Sequence, residues 1–70
     1  MTLKKGIDYV VKEMDGIKTI TITKDALERE SMYFVERAVE AEKQGADEFA
    51  TFMEGHAYAI NDLLTLIEEE

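Results

Sequence analysis

Carboxylates are the chemically active groups this chain holds in greatest number. Glu28, Glu36, Glu40, Asp47, Glu48, Glu54 and Asp62 recur at intervals that set most of them on the outer surfaces of helices. Residues 25–70 carry thirteen acids against Arg29, Arg37 and Lys43, a charge of −10; residues 1–24 carry five lysines against Asp8, Glu13 and Asp15, a charge of +2. A field of this kind repels nucleic acid and anionic lipid and attracts basic surfaces. Glu36 and Glu40 are like charges at i,i+4, which costs about 0.2–0.5 kcal/mol. Regular carboxylates on rigid helices can stand in for a row of phosphates, and Tyr33 and Tyr58 on the polar faces are residues of the type that anchor protein interfaces. The same acids would also serve as a solvated face that keeps a small protein in solution.

The only histidine, His56, sits in FMEGHAYAI between Met53 and Ile60, inside an apolar helical stripe. Phe52, Met53 and Ile60 occupy its i−4, i−3 and i+4 positions, so no second metal ligand lies at helical spacing, and no serine or cysteine is fixed beside it as a nucleophile. A neutral histidine packed at a helix interface, within reach of Phe34 or Ser31, is the expected role. Beside it Gly55 costs a helix ~1 kcal/mol against alanine. Gly55 and Ala59 are four apart on one flank, next to Phe52 and Leu66, where small residues permit close approach of another backbone. Phe52, Gly55, His56, Ala59, Leu63 and Leu66 are therefore the expected dimer interface. Glu42 falls in the apolar arc of its helix, near the end, where it reaches water past its own stem or meets a lysine or arginine of a second subunit.

No glycine-rich phosphate loop and no HExxH is present, and no set of polar groups converges. We expect no catalytic residues, no metal and no cofactor.

The elements that carry these residues are legible from turn signals and periodicity. GIDYVVKEMDGIKTITITK reads as a β-hairpin over about residues 6–23, because Asp15-Gly16 suits a type I′ turn and the flanks are β-branched or aromatic. A two-residue turn sets Met14 opposite Ile17, Val11 opposite Ile20 and Tyr9 opposite Ile22. Ile7, Tyr9, Val11, Ile20 and Ile22 then share a core face; Asp8, Val10, Lys12, Thr19, Thr21 and Thr23 share a mostly wet one. A helix over about 24–43 follows. Thr23 or Asp25 can cap its start, Asp25 making a capping box with Glu28, and Gly45 suits the C′ position. Its apolar arc, through Ala41, Phe34, Leu27, Ala38, Val35, Val39 and Met32, is wider than one neighbour needs. A second helix over about 47–68, with Asp47 and Glu48 at its start, carries an equally wide arc: Phe49, Phe52, Met53, His56, Ala57, Ile60, Leu63, Leu64 and Ile67, edged by Ala59 and Leu66. Glu68-Glu69-Glu70 opposes its dipole and should fray. The stripe also keeps 3-4 spacing through Gly45, as one long coiled-coil helix would; Gly45, a cap at Asp47 and the arc widths favour a helical hairpin.

The expected fold is a single small α+β domain over residues 1–70. It has ββαα order, with a two-stranded antiparallel hairpin packed on an antiparallel helical hairpin and dimerisation through the helices. A chain of 70 residues without cysteine has neither disulfides nor thiolate metal sites to reinforce a small core, which leaves oligomerisation. The N-terminus does not read as a signal peptide and no apolar run is long enough to span a membrane, so a soluble cytoplasmic protein is expected. KTITIT followed by two helices resembles the ribbon-helix-helix repressors over about residues 17–65. The long first helix, the complete hairpin before it and the acidic helical half all depart from that pattern, and the resemblance rests on no specific motif.

The functional expectation is a small acidic inhibitor or regulator acting on a basic, nucleic-acid-handling protein, a nucleic-acid mimic of the anti-defence type carried by mobile elements. Its partner-binding face would be Glu28, Glu36, Glu40, Asp47, Glu48, Glu54, Asp62, Tyr33 and Tyr58. Nucleic acid is not expected as a direct ligand. The alternative is a homodimeric regulator or antitoxin-like module whose lysine-bearing hairpin contacts DNA or a partner.

Overall fold

The computed structural model describes residues 3–69. Its elements run β1 (Tyr9–Met14), β2 (Ile17–Ile22), α1 (Lys24–Lys43) and α2 (Asp47–Glu68). The strands pair antiparallel in the expected register, Tyr9 with Ile22, Val11 with Ile20 and Met14 with Ile17. Asp15 and Gly16 both have positive φ, 53° and 79°, as a type I′ turn requires. The ββαα order and the packed helical pair are those read from the sequence.

Both helix ends follow local chemistry. Thr23, not Asp25, caps α1: its hydroxyl accepts from the Ala26 amide at 3.1 Å. At the far end Gly45 takes φ 76°, the Ala46 amide donates to the Ala41 carbonyl at 2.9 Å and the Gly45 amide to that of Glu42 at 3.1 Å. This is a Schellman closure, and it stops α1 and turns the chain back as α2, so the continuous-helix alternative does not form. Ala46 takes the cap position of α2 without a side-chain bond, and Asp47 is its first helical residue rather than its cap. Glu70, the last of the three terminal glutamates, lies outside the described residues.

Small side chains line the helix seam. The buried hydrophobics are Ala26, Leu27, Ala38, Ala41, Ala50, Met53, Ala57 and Leu64. Five of the eight are alanines, which bring the two backbones close but bury little apolar area each. Ser31 is buried among them, its hydroxyl donating to Asn61 Oδ1 at 2.8 Å. Apart from Leu27, Met53 and Leu64, most bulky members of both arcs are outside. Met32, Val35 and Val39 on α1 are exposed, as are Phe49, Phe52, Leu63, Leu66 and Ile67 on α2.

The hairpin departs most from expectation. The strands contact each other and the helices contact each other, but strands and helices barely touch. Val11 and Ile20 on the anticipated core face are exposed, Ile7 is 74% exposed, and only Tyr9 and Ile22 at the base are half-buried. A 22-residue helix is ~33 Å long, yet the longest extent of the molecule is 47 Å, so the hairpin projects from the end of the helical pair as an arm. The radius of gyration is 14.4 Å, against ~11 Å for a compact chain of this length.

What holds the base of the arm is a residue assigned to the wet face. Asp8 is 5% exposed. It precedes β1 rather than lying in it, and its carboxylate accepts from the Lys4 amide at 2.8 Å and from the Arg29 guanidinium of α1. The Thr23 amide donates to its carbonyl at 3.1 Å. The turn at residues 4–8, closed by the Asp8 amide on the Lys4 carbonyl at 2.8 Å, folds the side chain inward, which strand alternation does not anticipate.

Two stability predictions follow from these contacts. Gly45→Ala should cost about 1–2 kcal/mol, because a Cβ is strained at positive φ even though the space around it is open; urea unfolding should show a lower midpoint with an unchanged slope. The Lys4 amide, together with the Arg29 guanidinium, holds the Asp8 carboxyl below its ordinary value of 3.8. A carboxyl whose folded pKa is lowered stabilises above its unfolded pKa and loses that contribution as pH falls towards its folded one. Asp8→Asn should therefore lower the melting temperature at neutral pH, and the gap from the parent chain should close as pH falls below about 4.

Candidate protein-binding faces of the helical pair

The two helices form one layer with two chemically opposite flanks. On one, Val35 and Val39 of α1 and Glu54, Tyr58 and Asn61 of α2 line a shallow depression whose floor is Ala38 and Ala57. Glu54 is half-buried and Tyr58 is exposed. Glu42 extends this flank towards the interhelical turn. Its carboxyl is raised above its ordinary value of 4.5 by a hydrogen bond with Glu54, by the charge of Glu54 and, further down, by the charge of Asp47. Glu42 and Glu54 thus face each other at the turn end of an apolar depression, with Asp47 further off.

The other flank is aromatic. The His56 ring lies 4.8 Å from that of Phe34 and 4.5 Å from that of Phe52, and its Nδ1 donates to the Phe52 carbonyl at 2.9 Å. Tyr33 packs edge-on to Phe34 at 5.3 Å. The Arg37 guanidinium stands 5.8 Å from the Tyr33 ring and 5.9 Å from that of Phe49. At helical spacing the flank continues through Ile60, Leu63 and Ile67. Of the acids of α2, Glu54 lines the opposite depression, helical rotation turns Asp47 and Asp62 towards that side or outward, and Glu48 falls at the outer edge in line with Leu66. Gly55 and Ala59 lie at its outer edge with Phe52 and His56 in an open depression, and a Cβ at Gly55 would meet nothing within 4 Å. No contact inside the chain therefore calls for glycine at that position.

The anticipated acidic face divides in two. Glu54 and Tyr58 lie together, with Asp47 near them through Glu42. Glu28, Tyr33 and Glu36 share a groove along the outside of α1 with Met32, and Glu40 continues it past Tyr33 and Glu36 towards Phe49. Glu48 and Asp62 fall on the outside of α2 by helical rotation. Glu28 also pairs with Lys24 at 3.8 Å. Of the anticipated dimer set, Phe52, Gly55, His56, Ala59, Leu63 and Leu66 all lie on or beside the aromatic flank, with His56 half-buried and the others exposed.

Val35, Val39 and Asn61 were not anticipated as members of a site. The two valines read as core because periodicity cannot say which half of a wide arc faces inward. Glu42, inside that arc but polar, was the available signal; it meets a second carboxyl of its own chain and not a cation.

Among the described residues no three His, Cys, Asp or Glu side chains are grouped to hold a metal ion, and no helix is long and apolar enough to cross a membrane. Comparison of the chain with protein-family models, with curated proteins and with solved structures finds no match.

A group whose folded pKa is raised adds stability below its unfolded pKa and loses it as pH rises through the folded value. At neutral pH the charged Glu42 is held against Glu54 at a cost. Glu42→Gln should therefore raise the melting temperature at pH 7, and the gain should shrink as the pH is taken below about 4.5; thermal unfolding by circular dichroism across pH 3–8 reads both.

Proposed function

We propose that this chain is a protein-binding inhibitor or regulator that docks on the basic surface of a nucleic-acid-handling protein, working as a homodimer. The observation that carries the reading is the Tyr58 flank, an apolar centre of Val35, Val39 and Tyr58 bordered by Glu54, Glu42 and Asp47. Hot spots combine a desolvated aromatic or aliphatic centre with a polar rim. Here the rim is of one sign, so it selects a cationic partner. Keeping Glu42 against Glu54 in the free protein is unfavourable, and an arginine or lysine arriving between them relieves it. That makes part of the cost of the free state recoverable on binding. The groove of Glu28, Glu36 and Glu40 along α1 extends the negative field and steers the encounter.

The alternative, a homodimeric regulator or antitoxin-like module contacting DNA or a partner through the hairpin, draws on the projection of the arm, which carries Lys12 and Lys18 in the open.

Bait capture from a lysate of the native host, followed by binding measurements on the captured protein, separates these readings. Affinity should fall at least tenfold between 0.05 and 0.5 M salt, ~1.4 kcal/mol, and nucleic acid should compete. Tyr58→Ala should mainly speed dissociation. Glu54→Lys should abolish capture, while Glu36→Lys with Glu40→Lys should mainly slow association. A change of less than about twofold in all of these would reduce the acids to a solvated surface. Retention of the free chain on DNA, lost on Lys12→Glu with Lys18→Glu, would favour the arm instead.

A further inference from the structure

Above its base the arm packs on no other element among the described residues, and a two-stranded hairpin alone in water is marginally stable. Its exposed apolar residues lie on both faces: Val11 beside Ile20, which is 61% exposed, on one, and Val10 with the turn-end pair Met14 and Ile17 on the other. At the end from which it projects, α2 shows a second uncovered row, Leu63, Leu66 and Ile67. That end is also electrostatically unfinished. The last turn of α2 has no basic residue, and Glu68 and Glu69 stand where the helix dipole favours a cation. Lys24 reaches Glu68 only at 3.6 Å.

We propose that two copies exchange arms. The hairpin of each lies across the C-terminal half of α2 in the other, with Val11 and Ile20 on Leu63, Leu66 and Ile67, and Lys18, on the same face, at the acidic end of the helix. The contact is reciprocal, so one two-fold axis covers both exposed rows on both chains. The arm itself carries Lys12 and Lys18 against Glu13 and Asp15, so its charge is zero and it is not repelled by the acidic helical part as another acidic surface would be. The size agrees as well. The chain exposes 5558 Å², about 1,100 Å² more than a compact monomer of its mass, and a standard interface hides ~800 Å² per partner. Strands of six residues span ~20 Å, enough to cover the ~10 Å from Ile60 to Ile67 along α2.

The inference rests on the homodimer reading above, but can fail separately from it. The chain has no cysteine, so single substitutions report cleanly. Full-length Ile20→Cys and Leu66→Cys chains are mixed, allowed to exchange and oxidised mildly. The expected product is a disulfide between the two different chains, in clear excess over either same-chain dimer, with light scattering of the parent chain giving twice the chain mass at micromolar concentration. Ile20→Lys should shift the parent to a monomer with the helical signal in circular dichroism retained, and Leu66→Lys should do the same from the other side of the contact. A dimer that survives both lysine substitutions but dissociates on Phe52→Lys, with no mixed disulfide, overturns the arm exchange and leaves a dimer through the middle of α2. A monomeric parent chain overturns both.

Discussion

The seam between α1 and α2 is built of alanine, and the rest of the molecule follows from that constraint. Ala38, Ala41, Ala50 and Ala57 let the two backbones come close, and a close approach leaves little room for large side chains between them. Val35, Val39, Phe49, Phe52, Leu63 and Leu66 are therefore displaced to the flanks. Burial of small side chains returns little free energy per residue, since each contributes few methylene equivalents. Leu27, Met53 and Leu64 supply most of what the seam gains. A helical pair held in this way is a scaffold for its two flanks more than a core in its own right.

Those flanks differ in a way that suits two separate tasks. The His56 flank carries rings and aliphatics with Arg37 among them, and Glu36 and Glu40 of α1 border it beside Tyr33 and Phe49. Apolar surface of this kind is covered in stable assemblies. The Tyr58 flank pairs a small apolar centre with carboxyl groups that repel one another. Surface of this kind is costly to bury except against cations. The histidine, expected from the sequence as a packed residue at a helix interface, belongs to the first flank. Its Nδ1–H is spent on the Phe52 carbonyl and its ring on two phenylalanines, which makes it a packing residue of the helix surface.

Element order, strand register and the Gly45 break were all readable because each depends on local chemistry: an Asp-Gly turn, a hydroxyl cap, a glycine at positive φ. The width of both apolar arcs correctly signalled more surface than one contact covers. Which part of each arc turns inward was not readable, because helical period ranks Val35 and Ala38 alike, and what decides between them is how closely the helices approach. The hairpin shows the same limit. Alternation identified its apolar face, but not whether anything in the chain reaches that face. Asp8 was misplaced because a turn at residues 4–8 replaces the first strand residues, and its partner Arg29 lies 21 positions away, beyond any local pattern. The acidic site was legible as composition and only partly as geometry: Glu54 and Tyr58 come together, while Glu36, Glu40 and Tyr33 belong to a different surface.

The Asp8–Arg29 contact joins the two halves of the chain and has a consequence for assembly. Arg29 extends from α1 to the base of the arm, and with the Thr23 amide on the Asp8 carbonyl it fixes where the arm leaves the helices. An arm anchored at its base and free at its tip loses less orientational freedom on docking than a flexible tail would, because its direction is already set. In the proposed exchange the arms meet at the end where α1 begins and α2 finishes. Glu42, Asp47 and Glu54 gather towards the opposite end, by the interhelical turn. Two copies joined in this way carry their acidic depressions far apart and uncovered, one on each side of the axis. A partner that presents two basic surfaces, or two partner molecules, would then meet a bivalent ligand, and the second contact would form at the raised effective concentration that the first provides.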